Sequence, residues 1–293
     1  MMKTEGSSTV HPAITTWYES FGLLRSNPVL FFPLGVSAAA KFLILLIALV
    51  APFKPFSRVV APVVRYFWGE IYLHYPYHLA LASRLSRRSD ILLPVLLEGF
   101  LIGVTAILCR QFLSGQSPKA NQAFSGAFRR YPATALIAMV SAVTLVVCFQ
   151  AEMFLLRFGF RHMPAAWLQG GFAGVFFVGF ASVSLASVLE ALFIFSVPVC
   201  VLQQRSWFRS IGRSWKIGLR GFGPIFLGLW AMGLVYLPFI LLRQGSVRLA
   251  TSAWPEVLLL VYTVRILAIW GISTLFAVWS TTYLVRHAER VGL

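Results

Sequence analysis

Residues 205–239 read RSWFRSIGRSWKIGLRGFGPIFLGLWAMGLVYLPF. In the first half, Trp207, Ile211, Trp215 and Leu219 recur every fourth residue, so a helix gathers them on one stripe. Arg205, Arg209, Arg213, Lys216 and Arg220 lie across from that stripe. An aromatic stripe opposite a basic one suits a helix lying flat among headgroups, apolar side down. Beyond Pro224 the chain is almost wholly apolar for roughly the 20 residues a helix needs to cross a bilayer. The stretch therefore predicts an interfacial helix that leads through a proline into a membrane span.

The rest of the chain answers to the same solvent. Of its 293 residues 58% are hydrophobic and 12% charged, against about 25% charged in soluble domains. Mean hydropathy is +0.79. So few polar groups could not cover a water-soluble globule of this size. Six segments are long and apolar enough to span, at about 29–52, 91–113, 132–156, 171–203, 223–243 and 256–285. The fold class is an all-α integral membrane protein with six transmembrane helices. Pro28, Pro94, Pro132, Pro224 and Pro255 sit near segment starts, where a missing N–H is harmless. Pro198 and Pro238 sit near the ends of spans four and five and are expected to kink or stop them. The first apolar run begins at Val29 and carries Lys41, which does not read as a cleavable signal.

Orientation follows the basic residues. With both termini cytoplasmic, 13 basic side chains lie inside and 10 outside, leaving Lys41 and Arg265 within spans. Segment 53–90 supplies six of the outer ones. If 59–82 also spanned, the termini would separate. Arg65, Glu70, His74 and His78 would then lie in hydrocarbon, at roughly 2.5–3.5 kcal/mol for each central charge. A pair of short interfacial helices is expected over 53–90 instead.

The plan of residues 205–239 recurs twice. Ile14, Trp17, Phe21 and Leu24 form a helical stripe ending at Arg25-Ser26-Asn27-Pro28. Phe124, Phe128 and Tyr131 form another, running through Arg129 and Arg130 to Pro132. Three amphipathic interfacial helices, each followed by two spans, predict a threefold pseudo-repeat with units at about 12–113, 118–203 and 206–290 within one transmembrane domain. Segment 53–90 is then an insertion in the first unit.

Four stretches carry a resemblance: RSNPVLFFPL, SVPVCVLQQ, SWFRSIGRSWKIGLRGFGPIFLG and TTYLVRHAE. With them the chain resembles a diffuse superfamily of six-span bacterial inner-membrane proteins. Its members include the membrane domain of some glycerophosphodiester phosphodiesterases and YciC-like proteins. The resemblance implies a bacterial inner-membrane location. It carries over no catalytic residue, because no aqueous domain remains to hold the phosphodiesterase barrel.

Ionisable residues within spans are functional candidates by default. Lys41, Glu98, Glu190 and Arg265 are these, and two acids with two bases suggest pairing, Lys41 with Glu98 and Glu190 with Arg265. Gly179, Ser182, Ala186 and Glu190 share one face of span four, and Gly99-x-x-x-Gly103 and Gly170-x-x-x-Gly174 are further small-residue pairs suited to close helix approach. Glu70, His74 and His78 have chelating spacing, but Pro76 breaks their common face. Cys109, Cys148 and Cys200 are scattered and read as packing residues. No catalytic motif, metal site or cofactor site is expected.

The +16 net charge sits between spans, where it addresses anionic headgroups and not nucleic acid. The expected lipid contacts are Arg205, Arg209, Arg213, Lys216, Arg220, Trp207, Trp215, Arg129 and Arg130. The first functional reading is a non-enzymatic membrane-organising or accessory subunit, with membrane lipids as partners. Its small-residue faces also suit a membrane-protein partner or a second copy of the chain. A transporter or exporter using the four intramembrane charges is the alternative, and a lipid-acting enzyme with segment 53–90 over the outer headgroups is the third.

Overall fold

A computed structural model describes residues 12–160, 172–239 and 256–287, and these are helical with no strand. Six helices are long and apolar enough to cross a membrane: Pro28–Val50, Tyr77–Leu113, Tyr131–Glu152, Phe176–Leu202, Phe222–Phe239 and Val257–Arg286. The chain is a multi-pass membrane protein. Gly170, Lys3, Arg161, Arg243, Arg248 and Arg290 lie outside the described residues.

The even-numbered spans pack on one another. The sixth packs on the second, and the end of the fourth, Ser196–Leu202, packs on both. The first span lies against the second and sixth, the third against the second and fourth, and the fifth against the fourth. Three shorter helices, Pro12–Ser26, Ala120–Phe128 and Trp207–Arg220, surround the ends of the even spans as a collar. They dock on the sixth, second and fourth spans respectively. Each collar helix thus precedes one odd span while packing on an even span.

Small residues make that docking close. The first collar helix buries Ala13, Thr16 and Ser20, the second Ala123 and Ala127, the third Ser210, Ser214 and Gly218. Leu24, Ile217 and Trp17 add apolar contacts to these docking faces, while Ile14, Phe21, Phe128, Phe208, Trp215 and Leu219 are exposed. Trp279 of the sixth span is fully buried, stacks on Trp17 at 4.6 Å between ring centroids, and donates from Nε1 to the Ala13 carbonyl at 3.2 Å. Phe195 and Tyr283 close the same cluster.

The second span corrects the sequence reading at its start. Its helix begins at Tyr77, not near residue 91, and runs through Pro94 as a π-type turn over Pro94–Glu98. A wider turn accommodates the ring and the missing N–H that would otherwise break the helix. Ser57–Trp68 and the 3-10 turn Glu70–Leu73 remain as separate short helices, and residues 77–90 of the expected insertion extend the span along the first one. Their polar side chains have partners that hydropathy does not register. Arg84 lies over the Tyr72 ring at 4.7 Å, and Arg88 over Trp68 at 4.9 Å. The Tyr75 hydroxyl donates to Glu256 at 3.0 Å, tying the preceding turn to the start of the sixth span and holding the phenol above its usual pKa.

Pro198 and Pro238 act at a distance of one turn. The fourth span breaks at residues 194–195, where Ile194 loses the donor that residue 198 would supply. The fifth tightens into a 3-10 turn at Leu234–Tyr236, beginning at the residue whose carbonyl Pro238 cannot serve.

Gly218 has the least room of the collar glycines. A Cβ there would run into the Ala191 carbonyl and sit 3.4 Å from Leu192 Cα, both fixed backbone. Gly218→Val must lift the collar helix, at about 1–3 kcal/mol of overpacking. Thermal unfolding in detergent is expected to fall by about 5 °C. Gly212→Ala, where a Cβ meets nothing within 4 Å, should leave it unchanged or slightly raised.

Candidate functional site: the intramembrane charges

The second span presents two acids, Asp90 and Glu98, to cations arriving from both sides. Lys41 of the first span reaches Glu98 Oε1 with Nζ at 2.6 Å, and Ser37 Oγ donates to the same oxygen at 2.7 Å. Both side chains are enclosed, Lys41 at 8% and Glu98 at 15% exposure. On the other side Arg265 of the sixth span pairs with Asp90 and donates to Ser86 Oγ at 2.6 Å. A small cleft lined by Lys41, Ser86, Ser89, Asp90, Tyr262 and Arg265 joins the two pairs into one cluster. The π-type turn lies between the two acids in the helix, and Glu98 is its last residue.

This arrangement corrects the expected Glu190–Arg265 pair. Arg265 sits on the face of the sixth span that packs on the first and second, beside Tyr262 and Ile266. Glu190 approaches a different face of that span, near Ser273, Phe276 and Ser280. Arg265 takes Asp90 as its partner instead. Asp90 went unnoticed in the sequence because it precedes the apolar run by one residue. Glu152, near the end of the third span, was also missed; Ser182 Oγ donates to it at 3.2 Å, so one member of the fourth span's small-residue face satisfies a neighbouring helix.

Glu190 lines a cavity of about 350 Å³ between the second, third, fourth and sixth spans. The Glu190 side chain is exposed, and it meets no cation or hydrogen-bond donor among the described residues. The two paired acids, Asp90 and Glu98, line the same space. The glycines of the expected Gly99-x-x-x-Gly103 pair serve different neighbours. A Cβ on Gly99 would lie 3.2 Å from the Thr134 carbonyl, and one on Gly103 would lie 3.1 Å from Val201.

On the collar, Trp207, Arg209, Trp215, Lys216, Arg220 and Arg129 are exposed, while Arg205, Arg213 and Arg130 are half-buried. Burial, and then the charge of Arg205, hold the Arg213 guanidinium below its usual pKa. Arg209, Lys216 and Arg220 have no acidic partner among the described residues. The spaced Glu70, His74 and His78 do not converge. Glu70 pairs with Arg65 at 3.0 Å, and His78 is buried beside the Phe53 and Tyr75 rings. Among the described residues, no three His, Cys, Asp or Glu side chains gather where they could hold a metal ion. The three cysteines are free thiols.

No protein-family model, no curated protein and no solved structure matches this chain. The fold and the charge cluster define a class, a six-span α-helical membrane protein braced by ion pairs within its spans.

The brace predicts an asymmetric response to mutation. Lys41→Met leaves a buried carboxylate uncompensated and is expected to destabilise the protein by about 3–5 kcal/mol. Adding Glu98→Gln to it should return most of that loss, read as thermal unfolding of single and double variants in the same detergent.

Proposed function

We propose that the chain is a non-enzymatic inner-membrane protein of bacterial type, with both termini cytoplasmic. It acts as a membrane-organising or accessory subunit and gathers anionic lipid on its collar. One observation carries this reading. The third collar helix docks through Ser210, Ser214, Ile217 and Gly218, which leaves Trp207, Phe208, Trp215 and Leu219 exposed and Arg209, Lys216 and Arg220 exposed without acidic partners among the described residues. Aromatic and basic side chains freed in this way address acyl chains and phosphates together.

The docking order supports a threefold pseudo-repeat of interfacial helix and two spans. Each collar helix packs on the last span of the unit before it, and the first packs on the last span of the third unit. That cyclic order is what three copies of one unit would give, and Gly22, Gly126 and Gly218 each stand six residues before their unit's proline. A transporter or exporter is the second reading, favoured by the cavity at Glu190. Lys41, Glu98 and Arg265 are paired and packed, which favours the structural reading for those three.

Neutralising Arg209, Lys216 and Arg220 to Gln removes about 1 kcal/mol of headgroup attraction for each side chain. Affinity for dansyl-labelled phosphatidylglycerol, followed by energy transfer from the collar tryptophans in phosphatidylcholine nanodiscs, is expected to drop on the order of 100-fold. Equal affinity of the triple variant and the native chain would refute the lipid-gathering role.

A further inference from the structure

The cavity at Glu190 has a charge account that the collar does not explain. Three carboxylates line it, and two are already neutralised from behind, Glu98 by Lys41 and Asp90 by Arg265. Glu190 is the third, and no cation reaches it among the described residues. The remaining wall is mostly apolar, with Ile102, Ile137, Leu145, Phe193 and Phe276 around the space. Ser141 and Ser273 add hydroxyls. Ile194 also lines it, and its carbonyl lacks its helical donor because residue 198 is proline. About 350 Å³ lies at the small end of the range for ligand pockets, which are typically apolar with a few placed polar groups.

A lone carboxylate in a low-dielectric, apolar space favours whatever brings it a positive charge. We infer that this cavity is a binding site for an amphiphilic amine, whose ammonium meets the Glu190 carboxylate while its hydrocarbon body lies along the apolar wall. The ammonium has three donors, which the carboxylate, the Ile194 carbonyl and a serine hydroxyl can accept. The site is independent of the lipid-gathering collar, since it lies within the bundle and attracts charge of the opposite sign. The amine could be the headgroup of a lipid or a free amphiphile; both present the same chemistry.

The test uses the full chain in phosphatidylcholine nanodiscs, with radiolabelled octylammonium as probe and octanol as its uncharged counterpart, by equilibrium dialysis against empty nanodiscs. The native chain should bind octylammonium saturably at one site per chain. Glu190→Gln should weaken it at least about tenfold, a difference of one decade in Kd, without changing octanol binding. Glu190→Asp should retain the preference for the cation. Ala142→Phe fills the cavity and should abolish binding of both probes with Glu190 intact, so the proposal stays testable if Glu190→Gln does not fold. Competition by phosphatidylethanolamine in the nanodisc would assign the site to a lipid amine, and lack of competition to a free amphiphile. No saturable binding, an unchanged affinity in Glu190→Gln, or octanol bound as tightly as octylammonium would each overturn the proposal.

Discussion

An unpaired charge is costly in hydrocarbon, and the architecture follows from how this chain meets that cost on its second span. Asp90 and Glu98 make that helix the acidic member of the bundle, and Lys41 and Arg265 make the first and sixth spans its counterions. Three helices are thereby fixed in register by interactions far stronger when misplaced than apolar contacts, which slide past one another at little cost in lipid. The same pairing lets a helix whose first third is polar run on as part of a span. Ser86 and Asp90 are held by Arg265, and Arg84 and Arg88 lie over aromatic rings.

The collar meets a different demand. Lipid supplies no hydrophobic drive between helices, so close approach and hydrogen bonds must do the joining. Gly218 against the Ala191 backbone, Ser214 Oγ donating to the Leu192 carbonyl, and Trp279 donating to the Ala13 carbonyl are the means used here. Small contact faces leave Phe128, Phe208, Trp215, Leu219 and the basic side chains outward. One set of helices can therefore close the bundle and also carry the chain's positive charge.

Six spans were legible because crossing length and apolar composition are properties of local sequence, and the three collar helices were legible because their periodicity is also local. The start of the second span was not, since a hydropathy window averages Arg84, Arg88 and Asp90 as costs and cannot see the rings and guanidinium that offset them. Pro94 reads as a helix start, and only the chain's continuation through a π-type turn shows otherwise. Opposite charges in consecutive spans brought Lys41 and Glu98 to notice together. The partner of Arg265 depended on which face of the sixth span it occupies, and rotation about a helix axis is set by packing that no single segment encodes. Glu190 was visible as a residue, but its cavity arises from four helices meeting.

The pairing of the second span with its neighbours is the claim on which the rest stands. Its most direct measurement is a double-mutant cycle across the other pair, Asp90→Asn with Arg265→Gln, read as unfolding free energy in one detergent. A coupling of at least about 1 kcal/mol is expected for two charges joined within the bundle. Effects that add to within about 0.5 kcal/mol would show that the two side chains do not brace the spans, and would contradict the account.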